Sequence, residues 1–419
     1  MSANPGTDPT GPTARSTAGV GVASLVAAAS GYVALVIAAN VLDKAANADF
    51  LVFWGLLFFL FGTLGGLQSA VTRSVHVART SEPAPATGDH GALVLRHGLL
   101  IGGALAAAVA VTSPAWAHTV LGPAPYPRVA LVVLGTLAFA GHSSVAGSLA
   151  GRGNWSDYSR LVGAEALMRL VLVAAVGLAG ASLMGLQIAT TAAAATWLLL
   201  TLVPQVRATR RQRADTTGPA FLRASWQAMV GAASSAALVV GFPVLLRVTT
   251  PQETFELAAP LMLAIQLTRA PLLIPLNAYQ GVAITHFLSH RDQGARPLLR
   301  LAGVIGAVGA VGAVAAALVG PWLMEVVREG YRVDPVVLGG LTLTAALVAL
   351  LTLTGAATLA LGGHRAYALG WLTATVCSAL VLLLPGAVAA RTVASLAVGP
   401  VFGVLVHVAW VRHALRARR

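Results

Sequence analysis

The chain has 419 residues, of which 57% are hydrophobic and only 10% charged, and its mean hydropathy is +0.79. A soluble domain carries roughly 25% charge. No soluble fold of this length hides so much apolar surface, so the composition specifies a polytopic membrane protein.

The formal net charge of +13 reads as the Lys/Arg excess of cytoplasmic loops. It does not read as a nucleic-acid surface, because the arginines lack interleaved aromatics and a contiguous patch. The one cysteine, Cys377, leaves no internal disulfide or thiolate cluster. The one lysine, Lys44, rules out a G-x-x-x-x-G-K-[ST] phosphate loop. Neither a cofactor nor a metal is expected.

Residues 1–17 are rich in Pro, Gly and Thr and are expected to form a disordered cytoplasmic tail. The apolar run that follows is too long for a signal-peptide core and is expected to stay as the first span. A span needs about 20 apolar residues. Twelve fit in order: 18–42, 48–77, 92–117, 128–150, 157–180, 182–206, 221–247, 254–288, 298–324, 335–361, 365–385 and 391–413. The second and eighth are long enough to tilt or project beyond the bilayer.

The odd-numbered connections are short and mixed in charge, whereas the even-numbered ones carry arginines such as Arg73, Arg79, Arg152, Arg160, Arg291 and Arg365. The positive-inside rule then puts both termini and the even connections in the cytoplasm. The most basic connection, RATRRQRADTTGP, divides the chain into two six-helix lobes, 18–206 and 221–413, joined by a linker at 207–220. Residues 414–419 form a basic tail. Ala27–Ser30 in the first span can be set against Gly231–Ser234 in the seventh, which hints at a parallel repeat. Gly62 and Gly66, and Gly303, Gly306, Gly309 and Gly312, mark close helix contacts.

Two arginines fall where the bilayer is deepest, Arg169 and Arg269. A guanidinium at the midplane costs at least ~2.5–3.5 kcal/mol, so it faces a bundle interior or a wet cavity. Glu165 and Arg169 stand at i, i+4 and can pair. That pair reads either as a structural ion pair or as a gate lining a cavity. Gln266, Arg269, Asn277 and Gln280 share one face of the eighth span, and Pro271 and Pro275 predict a kink beside Arg269. Gln68 and Arg73 lie in the cytoplasmic third of the second span, where Arg73 fits a snorkelling boundary residue better than a ligand. Asn40 and His142 read as satisfied bundle residues. The outer connections are short and hold no catalytic constellation, so the chain is not expected to be an enzyme.

Twelve spans in two halves around a basic central loop resemble the multidrug/oligosaccharidyl-lipid/polysaccharide (MOP) exporter superfamily, and in particular its polysaccharide-transporter, O-antigen-flippase-like branch. The segments that carry the resemblance are NADFLVFWGLLFFLFGTLGGLQSAVTRSV, GRGNWSDYSRLVGAEALMRL and LTRAPLLIPLNAYQGVAITHFL. Within them, Gly66-Leu67…Arg73 and Glu165…Arg169 meet patterns of that family.

The resemblance implies alternating access in the bacterial cytoplasmic membrane. It also implies a central cationic cavity for a polyprenyl-diphosphate-linked oligosaccharide, in cell-envelope polysaccharide biosynthesis. Arg169 and Arg269 would hold the diphosphate, with Gln266, Asn277, Gln280, Gln68 and Arg73 along the path and Glu165 as the gating pair. The partners would be the lipid-linked glycan, membrane lipids and glycosyltransferases or a polymerase of the same route, with no nucleic acid. Two alternatives remain at this level: a cation-coupled small-molecule exporter of the same superfamily, and a non-transporting scaffold for glycan-assembly enzymes.

Overall fold

The computed structural model describes residues 14–81, 91–180, 182–272 and 296–416. The first half contains α1 (Ala14–Val41), α2 (Lys44–Thr80), α3 (Val94–Leu121), α4 (Tyr126–Gly151), α5 (Trp155–Leu178), α6 (Leu183–Ala193), α7 (Thr196–Leu200) and α8 (Pro204–Arg207). A 3-10 turn, Ala208–Arg211, leads to α9 (Gly218–Val239), α10 (Phe242–Thr249) and α11 (Gln252–Phe255). Then come α12 (259–272), α13 (Arg296–Val327), α14 (Pro335–Ala360), α15 (His364–Leu382) and α16 (Val388–Arg416).

Ten helical stretches among the described residues, with Leu183–Leu200 (α6 and α7) taken as one, are long and apolar enough to cross a membrane, and α9 with α10 passes the same test as a pair bent by 62°. The expected eighth span begins as α12 and continues into residues outside those described, with Asn277 and Gln280 among them. Helix α1 starts at Ala14, so the helix takes in the last four residues, Ala14–Thr17, of the stretch expected to be a tail. The starts of helices carry local chemistry: Asp43 caps α2 by accepting from the Ala46 amide at 2.8 Å, and Asp334 caps α14 by accepting from Val336 at 2.8 Å. Gly122, at φ 73°, closes α3 in a conformation that an L side chain rarely adopts.

Two expected spans are broken. The sixth is divided into α6, α7 and α8, with the first break at Ala194–Ala195. There Thr196 donates to the Ala193 carbonyl at 2.7 Å, and Thr201 donates to Leu198 at 2.6 Å. Such back-bonding competes with the helix ladder. The seventh breaks at Val240–Gly241, immediately before Pro243.

Packing repeats between the halves. Helix α1 lies on α5 as α9 lies on α15, and α3 lies on α4 as α13 lies on α14. Likewise α5 contacts α6 as α15 contacts α16, and α4 contacts α6 as α14 contacts α16. Ser30 donates to Ala27 O at 2.9 Å, and Ser234 repeats the bond to Gly231 O at 2.7 Å. The result is an all-helical, two-lobed bundle.

The lobes meet along α2 and α9. A Cβ on Gly62 would stand 2.7 Å from the Ala236 Cβ, and one on Gly66 would stand 2.6 Å from the Met229 Cα. Small residues therefore set the approach of these helices, as expected where lipid offers no hydrophobic drive. In the ninth span, Gly309 and Gly312 face α14, whereas Gly303 and Gly306 meet nothing within 4 Å.

At the arginine-rich end, the inter-lobe linker is stitched to the start of α3. The Ala92 amide donates to Thr216 O at 2.9 Å, the Ala214 amide to Ala92 O at 2.9 Å and the Val94 amide to Gln212 O at 3.0 Å. Ser74 on α2 donates to Asp215 of the same linker.

The packing predicts that Gly66→Leu, which forces α2 from the α9 backbone, destabilises the protein by at least ~1–3 kcal/mol. Gly65→Leu, where nothing lies within 4 Å, leaves stability unchanged. Thermal unfolding of both variants in detergent checks this, and equal melting points would contradict it.

Candidate substrate site

Arg169 lies inside the first lobe among α1, α2 and α5. Its Nη1 donates to Glu165 Oε1 at 3.0 Å, and both side chains are almost fully buried. The i, i+4 spacing on α5 makes this pair geometrically available. Nη2 reaches Ser30 Oγ of α1 at 3.4 Å. The guanidinium also stands 5.0 Å from the Phe58 ring centre and 5.8 Å from that of Trp54, and these two rings stack at 4.2 Å. Carboxylate, hydroxyl and aromatic faces replace part of the hydration that the bilayer denies, and the buried Nε of Arg169 has no hydrogen-bond partner among the described residues.

Arg269 is 3% exposed and is held differently. It reaches from α12 to the break between α9 and α10, where Nη1 donates to the Val239 carbonyl at 2.8 Å and lies 3.5 Å from that of Leu238. In an unbroken helix the donor to Val239 O would be the amide of residue 243. That residue is Pro243, which has no N–H. The guanidinium thus supplies the missing bond and places positive charge at the negative end of α9. The Phe242 ring centre lies 5.8 Å away. Among the described residues no carboxylate pairs with Arg269, and its buried Nη2 has no hydrogen-bond partner.

Helix α1 neighbours both cations. Ser30 contacts Arg169, whereas Tyr32 lies within electrostatic reach of Arg269. Residues two apart on a helix point to roughly opposite sides, so α1 presents one face to each arginine. In this conformation both guanidiniums are shielded from solvent.

The other expected site residues are dispersed. Gln68 is half-buried and donates to Tyr158 OH at 3.3 Å, joining α2 to α5. Arg73 is exposed, and Gln266 is half-buried one turn before Arg269. Asn277 and Gln280 lie outside the described residues. His142 stacks on Phe139 at 4.9 Å within α4. The chain is helical through residue 272, and Pro275, with the rest of the segment in which a kink is expected, lies outside the described residues. A break does occur in the neighbouring seventh span, and Arg269 reaches across to it.

At the arginine-poor end the halves are latched. Arg328, just after α13, donates to the carbonyls of Ala39 and Leu42. Asn40 donates to Val327 O at 2.8 Å, and Asn47 to Tyr331 OH at 2.9 Å. These four residues were not singled out as a group from the sequence. Their only signal is a polar residue at an otherwise apolar helix end, and the partners lie 287 residues apart.

If Arg269 replaces the amide that Pro243 lacks, the two positions are energetically coupled. Arg269→Ala alone is expected to destabilise strongly, and less so in a Pro243→Ala background, where the backbone supplies its own donor. A double-mutant cycle by thermal unfolding should give a coupling of ~0.5–3 kcal/mol. Strict additivity would contradict this arrangement.

No family model matches the chain. The uncharacterized protein Rv1510 of Mycobacterium tuberculosis is 40% identical over 407 residues, covering 96% of this chain and 93% of that protein. The uncharacterized protein Rv3630 of the same species is 39% identical over 395 residues, covering 94% and 91%. Among solved structures, the eukaryotic MATE transporter AtDTX14 matches with a TM-score of 0.68 at 14% identity, covering 97% of this chain and 98% of that one. The lipid II flippase MurJ, in an inward closed conformation, matches with a TM-score of 0.68 at 11% identity, covering 94% and 87%. A MOP superfamily transporter from Pyrococcus furiosus, with a binding pocket of reverse polarity, matches with a TM-score of 0.61 at 16% identity, covering 98% and 97%. The chain thus belongs to the family of the mycobacterial proteins Rv1510 and Rv3630, and it has the fold of the MOP exporter superfamily.

Proposed function

We propose that this protein is a transporter that moves a polyprenyl-diphosphate-linked oligosaccharide, or a similar anionic glycolipid, across the cytoplasmic membrane by alternating access. The observation that carries the reading is Arg269, a buried cation with no carboxylate partner among the described residues and with one donor unfilled. Glu165, by contrast, is tied to Arg169. A site for cationic cargo needs a carboxylate free to release a proton or ion, whereas a diphosphate needs guanidinium donors. The fold is shared with MATE transporters and with a flippase for lipid II, which supports a transport role.

In this reading the termini and the arginine-rich end are cytoplasmic, and the latch formed by Asn40, Asn47, Arg328 and Tyr331 closes the outer end. Substrate enters from the inner leaflet, and its diphosphate fills the open valence of Arg269. Displacing α1 joins the Arg169 and Arg269 surroundings, with Arg169 exchanging Glu165 for the new anion. Gln266, Gln68 and, outside the described residues, Asn277 and Gln280 complete the polar path, and Arg73 marks its cytoplasmic margin. A membrane potential that is positive outside aids outward movement of an anion by ~2.3 kcal/mol per charge per 100 mV. Glycan-assembly enzymes of the envelope would supply the cargo.

The test is flipping of a fluorescent polyprenyl-diphosphate oligosaccharide in proteoliposomes. Wild type and Pro243→Ala are expected to flip it. Arg269→Ala in the Pro243→Ala background, and Arg169→Ala, are expected to lose at least tenfold in rate, about 1.4 kcal/mol. Export of cationic dyes that Glu165→Gln abolishes would favour the cation-coupled alternative. A wild type inert toward glycolipid and dye alike would favour the scaffold.

A further inference from the structure

A second concentration of positive charge lies at the arginine-rich end, away from Arg169 and Arg269. A cavity of about 460 Å³ opens between the end of α2, the end of α4 and the inter-lobe connection, and it is lined by four arginines: Arg79, Arg152, Arg211 and Arg213. The remaining lining residues are Val75, Ala78, Ala208 and Gln212, so among the described residues no carboxylate lines the space. Asp215, two residues beyond Arg213, is engaged by Ser74 and is not part of the lining.

The arginines divide by role. Arg79 donates to the Arg152 carbonyl, and Arg213 donates to Gly91 O at 3.0 Å, so these two are anchored by backbone acceptors. Arg152 and Arg211 make no side-chain hydrogen bond or ion pair among the described residues, and Arg211 is exposed. Four like charges drawn into one hollow repel one another. A solvated loop would spread them out. Here the elements that carry them are fixed by the pairing of 212–216 with residues 92–94 and by the helix ends, so the charge is concentrated by the fold. Guanidinium forks on several sides of one space match the oxygens of phosphate groups.

Its position fits such a ligand. Helix α2 has 37 residues and is therefore ~55 Å long, against a hydrocarbon core of ~30 Å. Arg79 lies ~9 Å along the axis beyond Arg73, at the level of headgroups and the adjoining solvent.

We infer that this arginine-lined cavity is a binding site for a phosphate-bearing ligand with two or more phosphate oxygens to share among four guanidiniums, and that its occupancy ties the inter-lobe connection to α2 and α4. The inference stands on the cavity alone and does not depend on the transport reading. An anionic lipid headgroup and a soluble diphosphate both carry such phosphate oxygens, and the chemistry of the cavity is common to both.

The experiment uses the full chain. Inorganic pyrophosphate is titrated calorimetrically into delipidated protein in neutral detergent. Protein in nanodiscs with and without phosphatidylglycerol or cardiolipin is then examined by native mass spectrometry for retained lipid. The variant is Arg152→Gln with Arg211→Gln, which removes the two unengaged guanidiniums and leaves the anchored pair. The control is Arg412→Gln with Arg416→Gln, which removes the same charge from exposed positions near the end of α16.

Binding of pyrophosphate, or retention of anionic lipid, that weakens about tenfold or more in the first variant and not in the control supports the site. Pyrophosphate binding that anionic lipid does not compete away assigns a soluble ligand, and lipid retention without pyrophosphate binding assigns a headgroup. Absence of both, or equal weakening in variant and control, overturns the inference.

Discussion

A backbone carbonyl left without a donor inside hydrocarbon costs several kcal/mol, and a guanidinium without acceptors there is also costly. At the junction of α9 and α10 each defect offsets the other. Pro243 removes the amide that Val239 would use, and Arg269 supplies the bond at 2.8 Å. The bend lets Pro243 pack on α2, where Gly55 leaves room for it: a Cβ there would stand 3.1 Å from Val240 O and 3.3 Å from Pro243 Cδ. The long contact of α2 with α9 and the burial of Arg269 are thus parts of one arrangement. An arginine used this way retains a spare donor, and that spare donor is the basis for reading the site as anionic.

The first lobe treats its cation by another route. Arg169 is neutralised on its own helix by Glu165 and enclosed by Trp54 and Phe58. Its only hydrogen-bond link to α1 is the 3.4 Å contact to Ser30. Helix α1 therefore adjoins two unlike environments, and its far end is held to the second lobe by Arg328 and Asn40. A helix that screens both cations and carries the latch can couple site occupancy to closure of the outer end. That coupling is what alternating access requires of a two-state element.

Much of this was legible in the sequence because hydrophobic length and arginine placement act locally. The spans expected at 48–77, 128–150 and 335–361 correspond to α2, α4 and α14 within a few residues, and the i, i+4 spacing of Glu165 and Arg169 announced a pair. The broken spans were not legible, for two different reasons. Hydropathy runs unbroken through Gly241-Phe242-Pro243, although a glycine and a proline two residues apart are a local breaker signal. Pro271 and Pro275 carry a similar signal in the eighth span, where the chain is helical through residue 272 and lies outside the described residues beyond it. The divisions of the sixth span fall in alanine- and leucine-rich sequence, where only threonine back-bonding hints at them. The latch and the arginine-lined cavity bring together residues from distant segments, and single-sequence spacing does not reach that far.

The most direct test of substrate-driven alternating access is a distance across the latch. Lys44 and Glu329 are exposed on its two sides. Lys44→Cys and Glu329→Cys, in a Cys377→Ser background, can carry spin labels for double electron–electron resonance in nanodiscs. The account predicts one short distance in the free protein. It predicts a second, longer population when a polyprenyl-diphosphate oligosaccharide is added, absent when Arg269→Ala is combined with Pro243→Ala. A short distance unchanged at saturating glycolipid, or a lengthening produced equally by a cationic dye, would contradict it.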